Sequence, residues 1–349
     1  MKLLVSALEP SSNLHLKEVL KHTQDVELMG IFDKSIENGT PLYDISEMAI
    51  MGVVDALKKL PWFFKVADEM VELAKDADKV LLMDSSGFNL PLVKKLKTAY
   101  PDKEIIYYIL PQIWASRPKR AIKLEQYCDK LLGILPFEVD YYPQGKAEYV
   151  GHPLLDEINV HRIEEDTRNV IAFMPGSRKS EITRLMPIFL ELRRKLGNDI
   201  RPLLVIPPSF SRNKIAKLYR GNREFEVVRD THEALRRSEF AFICSGTATL
   251  EAALIGVPFT LAYIAKKVDF FIGTKLLGIK QVGLANIILT NYNNTILHNE
   301  ILQEEVTVDK LLKEYYNTDR EIFAKKAEEL RTYLGHGSSK NVAKIIMES

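Results

Sequence analysis

Apolar residues along this chain fall into short runs separated by stretches of helical periodicity. Leu3–Ser6, Val26–Ile31, Val80–Asp84, Glu104–Ile109 and Lys130–Ile134 have the length and composition of buried parallel strands. Between them, Leu14, Leu16, Val19 and Leu20 recur at helical spacing, and helical patterns resume between Ile45 and Lys75. The plan then repeats. Val170–Met174, Pro202–Ile206, Glu226–Val228, Phe240–Cys244 and Phe259–Tyr263 read as a second set of strands. Ile182, Leu185, Met186, Phe189, Leu190 and Leu196 make an apolar helix face within that set. Such alternation predicts an α/β protein with parallel sheets covered on both faces. The polar, charged stretch after Gly151-His152-Pro153-Leu154-Leu155-Asp156, running through Arg168, reads as a linker. Two domains are therefore expected, 1–155 and 156–337, with a C-terminal helix at about 338–349 packing back on the first.

Parallel sheets bind ligands beyond the carboxyl ends of their strands, so the strand ends are where candidate site residues are expected. Pro175-Gly176-Ser177-Arg178 turns a strand sharply into a helix whose first N–H groups lack intrahelical partners. With the Arg178 guanidinium, that turn is a candidate cradle for a phosphate or diphosphate; a solvated βα turn is the alternative. Ser245-Gly246-Thr247-Ala248-Thr249-Leu250-Glu251 is a second strand, small-residue turn and helix start. Glu251 there either complements the helix dipole or reaches a ribose diol. In the first half, Asp84 ends a strand, where it acts as a helix cap or as a catalytic carboxylate. Pro111-Gln112-Ile113-Trp114-Ala115 follows the fourth strand and leads into Arg117, Lys119, Arg120 and Lys123, a solvated helix face or a rim for an anion.

Composition narrows the classes. The 349 residues are 46% hydrophobic and 27% charged, a globular balance with enough apolar surface for two cores. The net charge of +1 argues against a long nucleic-acid footprint. Cys128 and Cys244 lie far apart outside any CxxC pair, and the seven histidines show no ligand spacing, so neither a disulfide nor a structural zinc site is expected. The apolar run at Lys2–Val5 is too short for a signal peptide, and no segment reaches the roughly 20 apolar residues that span a bilayer. A cytoplasmic protein, or one lying on a membrane surface, is expected.

Taken together and in order, these stretches resemble the lipid-A-disaccharide synthase family, bacterial glycosyltransferases of GT-B architecture. The resemblance rests on Met51-Gly52-Val53-Val54-Asp55-Ala56-Leu57, Asp84 with Phe88-Asn89-Leu90, Pro111–Ala115, Leu135-Pro136-Phe137-Glu138, Gly151–Leu154, Pro175–Arg178 with Glu181-Ile182, Ser245–Glu251, and Asn286. There are departures. Where the family's first loop reads Ser-Gly-Glu-x-Ser-Gly-Asp, this chain keeps Glu9 and Ser11 but has Ser12 and Asn13. Its glycine-rich stretch after the second strand is reduced to Gly30-Ile31-Phe32-Asp33, and Ser116 replaces an aromatic.

The resemblance implies two facing Rossmann-like domains with a cleft between them, and one reaction. UDP-2,3-diacylglucosamine gives its sugar to the 6-hydroxyl of 2,3-diacylglucosamine 1-phosphate, with inversion and no cofactor or catalytic metal. It implies Asp84 as base with Glu9 second. Gly176, Ser177, Arg178, Ser245, Gly246, Thr247, Glu251 and Asn286 fall on the UDP side. Ser11, Asn89, Gln112, Trp114, Arg117 and Arg120 fall on the acceptor side. Both substrates are lipids, so contact with the inner-membrane surface follows. Trp62, Phe63 and Phe64 beside Lys58, Lys59 and Lys65, and Phe270 and Phe271 within the basic 266–277 stretch, have the composition of interfacial anchors; core packing is the alternative. A UDP-sugar 2-epimerase of the same architecture and a non-catalytic nucleotide-binding protein are the competing classes. The sequence leaves a homo-oligomer open.

Overall fold

The computed structural model describes residues 1–45, 60–158, 167–265 and 281–348. The Met51–Leu57 motif, Lys58, Lys59, most of the charged linker, and the 266–277 stretch with Phe270 and Phe271 lie outside the described residues. In chain order the first elements are β1 (Lys2–Ala7), α1 (Pro10–Leu20), β2 (Glu27–Ile31), α2 (Leu60–Leu73), β3 (Lys79–Met83), α3 (Ser86–Ala99) and β4 (Glu104–Tyr108). α4 (Arg120–Tyr127), β5 (Lys130–Gly133), β6 (Ala147–Tyr149) and α5 (Pro153–Glu157) follow. The second set is β7 (Val170–Met174), α6 (Lys179–Lys195), β8 (Arg201–Val205), α7 (Arg212–Leu218), β9 (Glu226–Val228), α8 (Thr231–Arg236) and β10 (Phe240–Ile243). α9 (Thr247–Ile255), β11 (Phe259–Tyr263), α10 (Leu284–Asn293), β12 (Glu300–Leu302), α11 (Val308–Asn317), α12 (Arg320–Leu334) and α13 (Ser338–Met347) complete it.

The chain divides into two compact units, Met1–Glu157 with Leu334–Ser349, and Ile158–Tyr333. The division falls two residues beyond the expected 155/156, and the return to the first unit begins at Leu334. Asp156 fastens that return: its two carboxylate oxygens accept 2.7 Å hydrogen bonds from Gly337 N and Ser339 N at the start of α13. Gly151, at φ 93°, lies so close that a Cβ there would sit 3.1 Å from Ser338 N.

Unit one is a parallel sheet of order β2-β1-β3-β4-β5-β6. Alternate residues of its strands face two separate apolar layers. Leu4, Val80, Leu82, Ile105 and Tyr107 pack under α2, α3 and α4 with Met70, Val93 and Leu124. Leu3, Val5, Leu81, Met83, Ile106 and Tyr108 pack under α1 and α13 with Leu16, Val342 and Ile346. Unit two has the order β12-β11-β10-β7-β8-β9. Counted from its own first strand, that is the 3-2-1-4-5-6 arrangement of the dinucleotide-binding fold. Phe173, Phe189 and Phe242 meet edge-on or tilted in its core with ring centroids 5.5–6.3 Å apart.

Strand order also fixes where ligands belong. In unit one the connections leave in opposite directions from β1 and β3; in unit two they do so from β7 and β10. At such switch points the loops part and open a crevice at the carboxyl ends of the strands. Glu9 and Asp84 follow the first pair, and Gly176 and Gly246 follow the second.

Candidate active site: a strained elbow and a glycine turn

At the end of β3 the backbone of Asp84 and Ser85 turns left-handed, with φ 48° and 32°. Neither is glycine, and such conformations cost about 1–3 kcal/mol each unless their surroundings enforce them. Here they are enforced. Asn89, fully buried, donates from Nδ2 to Met83 O at 3.0 Å and to Asp84 O at 3.1 Å, while its Oδ1 accepts from Ser6 Oγ at 2.6 Å. The Tyr107 hydroxyl donates to the same Asp84 carbonyl. Asp84 N closes the sheet ladder on Tyr108 O at 3.1 Å, and α3 begins with Phe88 N and Asn89 N on Ser85 O. The elbow thus leaves the half-buried Asp84 carboxylate at the strand's end. Burial pushes its pKa up, offset in part by the Ser85 N–H and the charge of His15.

The other candidate groups of unit one differ in exposure. Glu9 and Ser11 are exposed at the start of α1. Asn13 beneath them is buried, giving Nδ2 to Ala7 O (2.8 Å) and Glu9 O (2.9 Å) and accepting from Asp33 N at 2.7 Å. A carboxylate cannot make those two donations, so the asparagine is what ties this loop down. Gln112 and Arg117 are exposed and Arg120 partly so. Trp114 packs edge-on against Phe137 at 5.4 Å, with its indole N–H buried and without a hydrogen-bond partner among the described residues. Asn89, counted on the acceptor side from sequence, has both amide hydrogens and its oxygen committed to the elbow. Glu138, given no role in the sequence reading, is buried after β5. Its Oε1 accepts from Ile134 N (2.5 Å) and Leu135 N (2.9 Å), and burial pushes its pKa up to about 7. His15 pairs with Glu157, and burial, with His15 adding to it, drives the pKa of His152 down to about 3.

The matching turn of unit two is built differently. Gly176 takes φ 95°, and a Cβ there would lie 2.5 Å from Glu181 Oε2 and 3.2 Å from Cys244 Sγ. Glu181, buried in the first turn of α6, accepts from Arg178 N at 3.1 Å and Arg178 Nη1 at 3.2 Å. The Arg178 side chain is 79% exposed, so its remaining donors face outward beside the helix N-terminus and the exposed Ser177. Cys244 N bonds Met174 O at 2.8 Å, which sets the Ser245-Gly246-Thr247 turn beside the first. Gly246 and Thr247 are exposed at the start of α9; Glu251, one turn on, lies 3.2 Å from His232 Nε2. Asn286, counted on the UDP side from sequence, is buried with its amide engaged inside the protein. Its Nδ2 donates to His298 O and Glu300 Oε1, both at 2.9 Å, and its Oδ1 accepts from Leu297 N and His298 N. With Glu300 also taking Val282 N and Gly283 N, this network holds the entry to α10. Sequence motifs found both asparagines; their partners Ser6, Tyr107 and Glu300 carry no linear signal.

Two parallel sheets of this order, each with its own switch point, are those of the GT-B fold class. Solved structures agree on the fold: MurG of Acinetobacter baumannii at TM-score 0.61 and 12% identity (99% of this chain, 98% of that one), and the S. aureus MnaA–UDP structure at 0.64 and 13% (99% and 95%). UDP-GlcNAc 2-epimerase of Neisseria meningitidis is similar at 0.57 and 12%, covering 99% and 98%. Within the class the sequence is more specific. The model of the lipid-A-disaccharide synthetase family matches residues 3–348, and the chain belongs to that family. Lipid-A-disaccharide synthase of Helicobacter acinonychis (strain Sheeba) is 47% identical over 98% of this chain and 96% of that protein. The one from Campylobacter jejuni (strain RM1221) is 43% identical over 99% of both.

Proposed function

We propose that this chain is an inverting hexosyltransferase that joins UDP-2,3-diacylglucosamine to the 6-hydroxyl of 2,3-diacylglucosamine 1-phosphate, releasing UDP. Family membership supports the reaction, and the elbow at Asp84 is the observation that carries the assignment of its base. An acceptor hydroxyl is a weak nucleophile, so a carboxylate taking its proton as the new bond forms lowers the barrier. A carboxylate whose pKa burial has raised takes that proton more readily. As the glycosidic bond breaks, charge builds on the departing diphosphate. Arg178 and the first N–H groups of α6 are preorganised donors for it. Glu251 holds the ribose, and Ser245, Gly246 and Thr247 line the nucleotide. Asn286 acts by holding its loop. Arg117 and Arg120 supply the positive charge for the acceptor's 1-phosphate, and Glu9 is the second candidate base.

Among the described residues no helix is long and apolar enough to cross a membrane. Both proposed substrates carry acyl chains, which calls for contact with a lipid surface. Trp62 and Phe63 pack against the core of unit one while Phe64 is 49% exposed with Lys65 exposed beside it. Phe64 is therefore our choice of anchor. Phe64→Ser should weaken binding to anionic vesicles with little change in melting temperature; unchanged binding removes this helix from the interface.

Radiolabelled UDP-2,3-diacylglucosamine, incubated with and without the monosaccharide acceptor, tests the reaction itself. Disaccharide formed only with acceptor is the expected result. Acceptor-independent sugar loss would indicate an epimerase-type hydrolysis, and no turnover would reduce the chain to a nucleotide binder.

A further inference from the structure

We infer that Ser6, Asn89 and Tyr107 form a buried hydrogen-bond brace that forces the left-handed Asp84–Ser85 elbow and so positions the Asp84 carboxylate for transfer. The inference rests on Asp84 being the base, and it adds three positioning residues, none of which touches substrate. Three of the brace's four bonds end on the two peptides that flank the Asp84 Cα. The Met83 carbonyl accepts from Asn89 Nδ2 at 3.0 Å. The Asp84 carbonyl accepts from Asn89 Nδ2 at 3.1 Å and from the Tyr107 hydroxyl. Ser6 on β1 orients the amide by donating to its oxygen at 2.6 Å, which leaves the two N–H groups pointing at those carbonyls.

The geometry explains why three residues are needed. With φ at 48° and 32° on two successive non-glycine residues, the Asp84 carbonyl is turned out of the sheet ladder, which ends with Asp84 N on Tyr108 O. An inward-facing carbonyl requires internal donors, and the brace supplies two. If the pair relaxed to right-handed conformations, the Cα–Cβ bond of Asp84 would swing and carry the carboxylate away from its direction. Ser6, Asn89 and Tyr107 are each 0% exposed. Burial also holds the Tyr107 phenol well above its ordinary pKa, so it stays a neutral donor across the working pH range. These residues come from β1, α3 and β4, three elements on which the elbow is built. The brace is thus anchored in two strands and a helix rather than in a loop.

The test separates positioning from packing. In Tyr107→Phe the ring stays and only the donor is lost, and in Ser6→Ala the orienter is lost. Both should fold, bind UDP with wild-type affinity by calorimetry, and keep the donor KM, while kcat falls ~10-fold or more, as expected when a catalytic group is misplaced by about 1 Å. Glycine occupies left-handed conformations without penalty. Ser85→Gly should therefore return part of the lost kcat in the Tyr107→Phe background. Wild-type kcat in both single variants would overturn the inference, as would a loss that Ser85→Gly leaves untouched. The two readings fail separately. If Asp84→Asn loses turnover while the brace variants do not, Asp84 stands as base and the brace falls. If Asp84→Asn turns over normally, the base assignment itself falls.

Discussion

The two units present their candidate groups on strand-to-helix turns of the same topology and opposite construction. After β3 the chain is left-handed at two residues that carry side chains, and a buried set of hydrogen bonds keeps it so. After β7 the left-handed residue is Gly176, which needs no such enforcement. The difference follows from what each turn offers. With Asp84 as the proposed base, unit one has a side chain to present, so glycine would not serve there, and the strain is offset by donors beneath it. Unit two presents backbone N–H groups and a guanidinium. There a Cβ would only stand in the way, 2.5 Å from the Glu181 carboxylate.

Gly176→Ala should break the comparison most severely. A methyl group forced into a left-handed residue and against Glu181 should cost about 2–4 kcal/mol, and UDP affinity should fall with it. Thermal unfolding and calorimetry measure both. Unimpaired UDP binding would mean the turn needs no glycine.

Arg178→Ala should weaken UDP binding and slow transfer together, by about 10–100-fold in kcat/KM, because a diphosphate contact acts in ground and transition states alike. Lysine should restore only part, lacking the forked donors. Steady-state kinetics with titrated UDP reads this directly, and wild-type affinity would return Arg178 to a capping partner of Glu181.

A smaller effect distinguishes unit one by pH. Glu138 has its folded pKa raised by burial to about 7, above the ordinary value of 4.5. Its contribution to stability is therefore complete below the unfolded value and is lost as pH rises through about 7. Both backbone donors use Oε1, which an amide oxygen can replace. Glu138→Gln should thus gain on the wild type between pH 5 and 8, by on the order of 1–3 kcal/mol. Parallel stability curves across that range would show that the two N–H bonds keep the carboxylate ionised at low cost.

Much of this was legible in the sequence because it is local. A buried apolar run followed by a turn and an amphipathic helix marks Asp84, Gly176 and Gly246 as strand-end positions, and strands such as Phe259–Tyr263 stand where the pattern puts them. β6 and β12 did not stand out. Each has three residues, flanked by polar sequence and only partly buried, so neither makes an apolar run. The partners of Asn89 and Asn286 were equally hidden. Ser6 lies 83 residues from Asn89, and its hydroxyl gains meaning only when β1 and β3 pair in register. Trp62, Phe63 and Phe64 read as one cluster, but helical geometry sends the first two inward and the third outward.

The central claim is the division of labour, base in unit one and nucleotide in unit two. Turnover and UDP affinity measured side by side on Asp84→Asn test it most directly. The near-isosteric amide keeps the elbow's packing and removes the proton acceptor. Turnover should fall by ~10²–10⁴-fold while UDP binds as tightly as to the wild type; wild-type turnover, or UDP binding lost in step with activity, would contradict it.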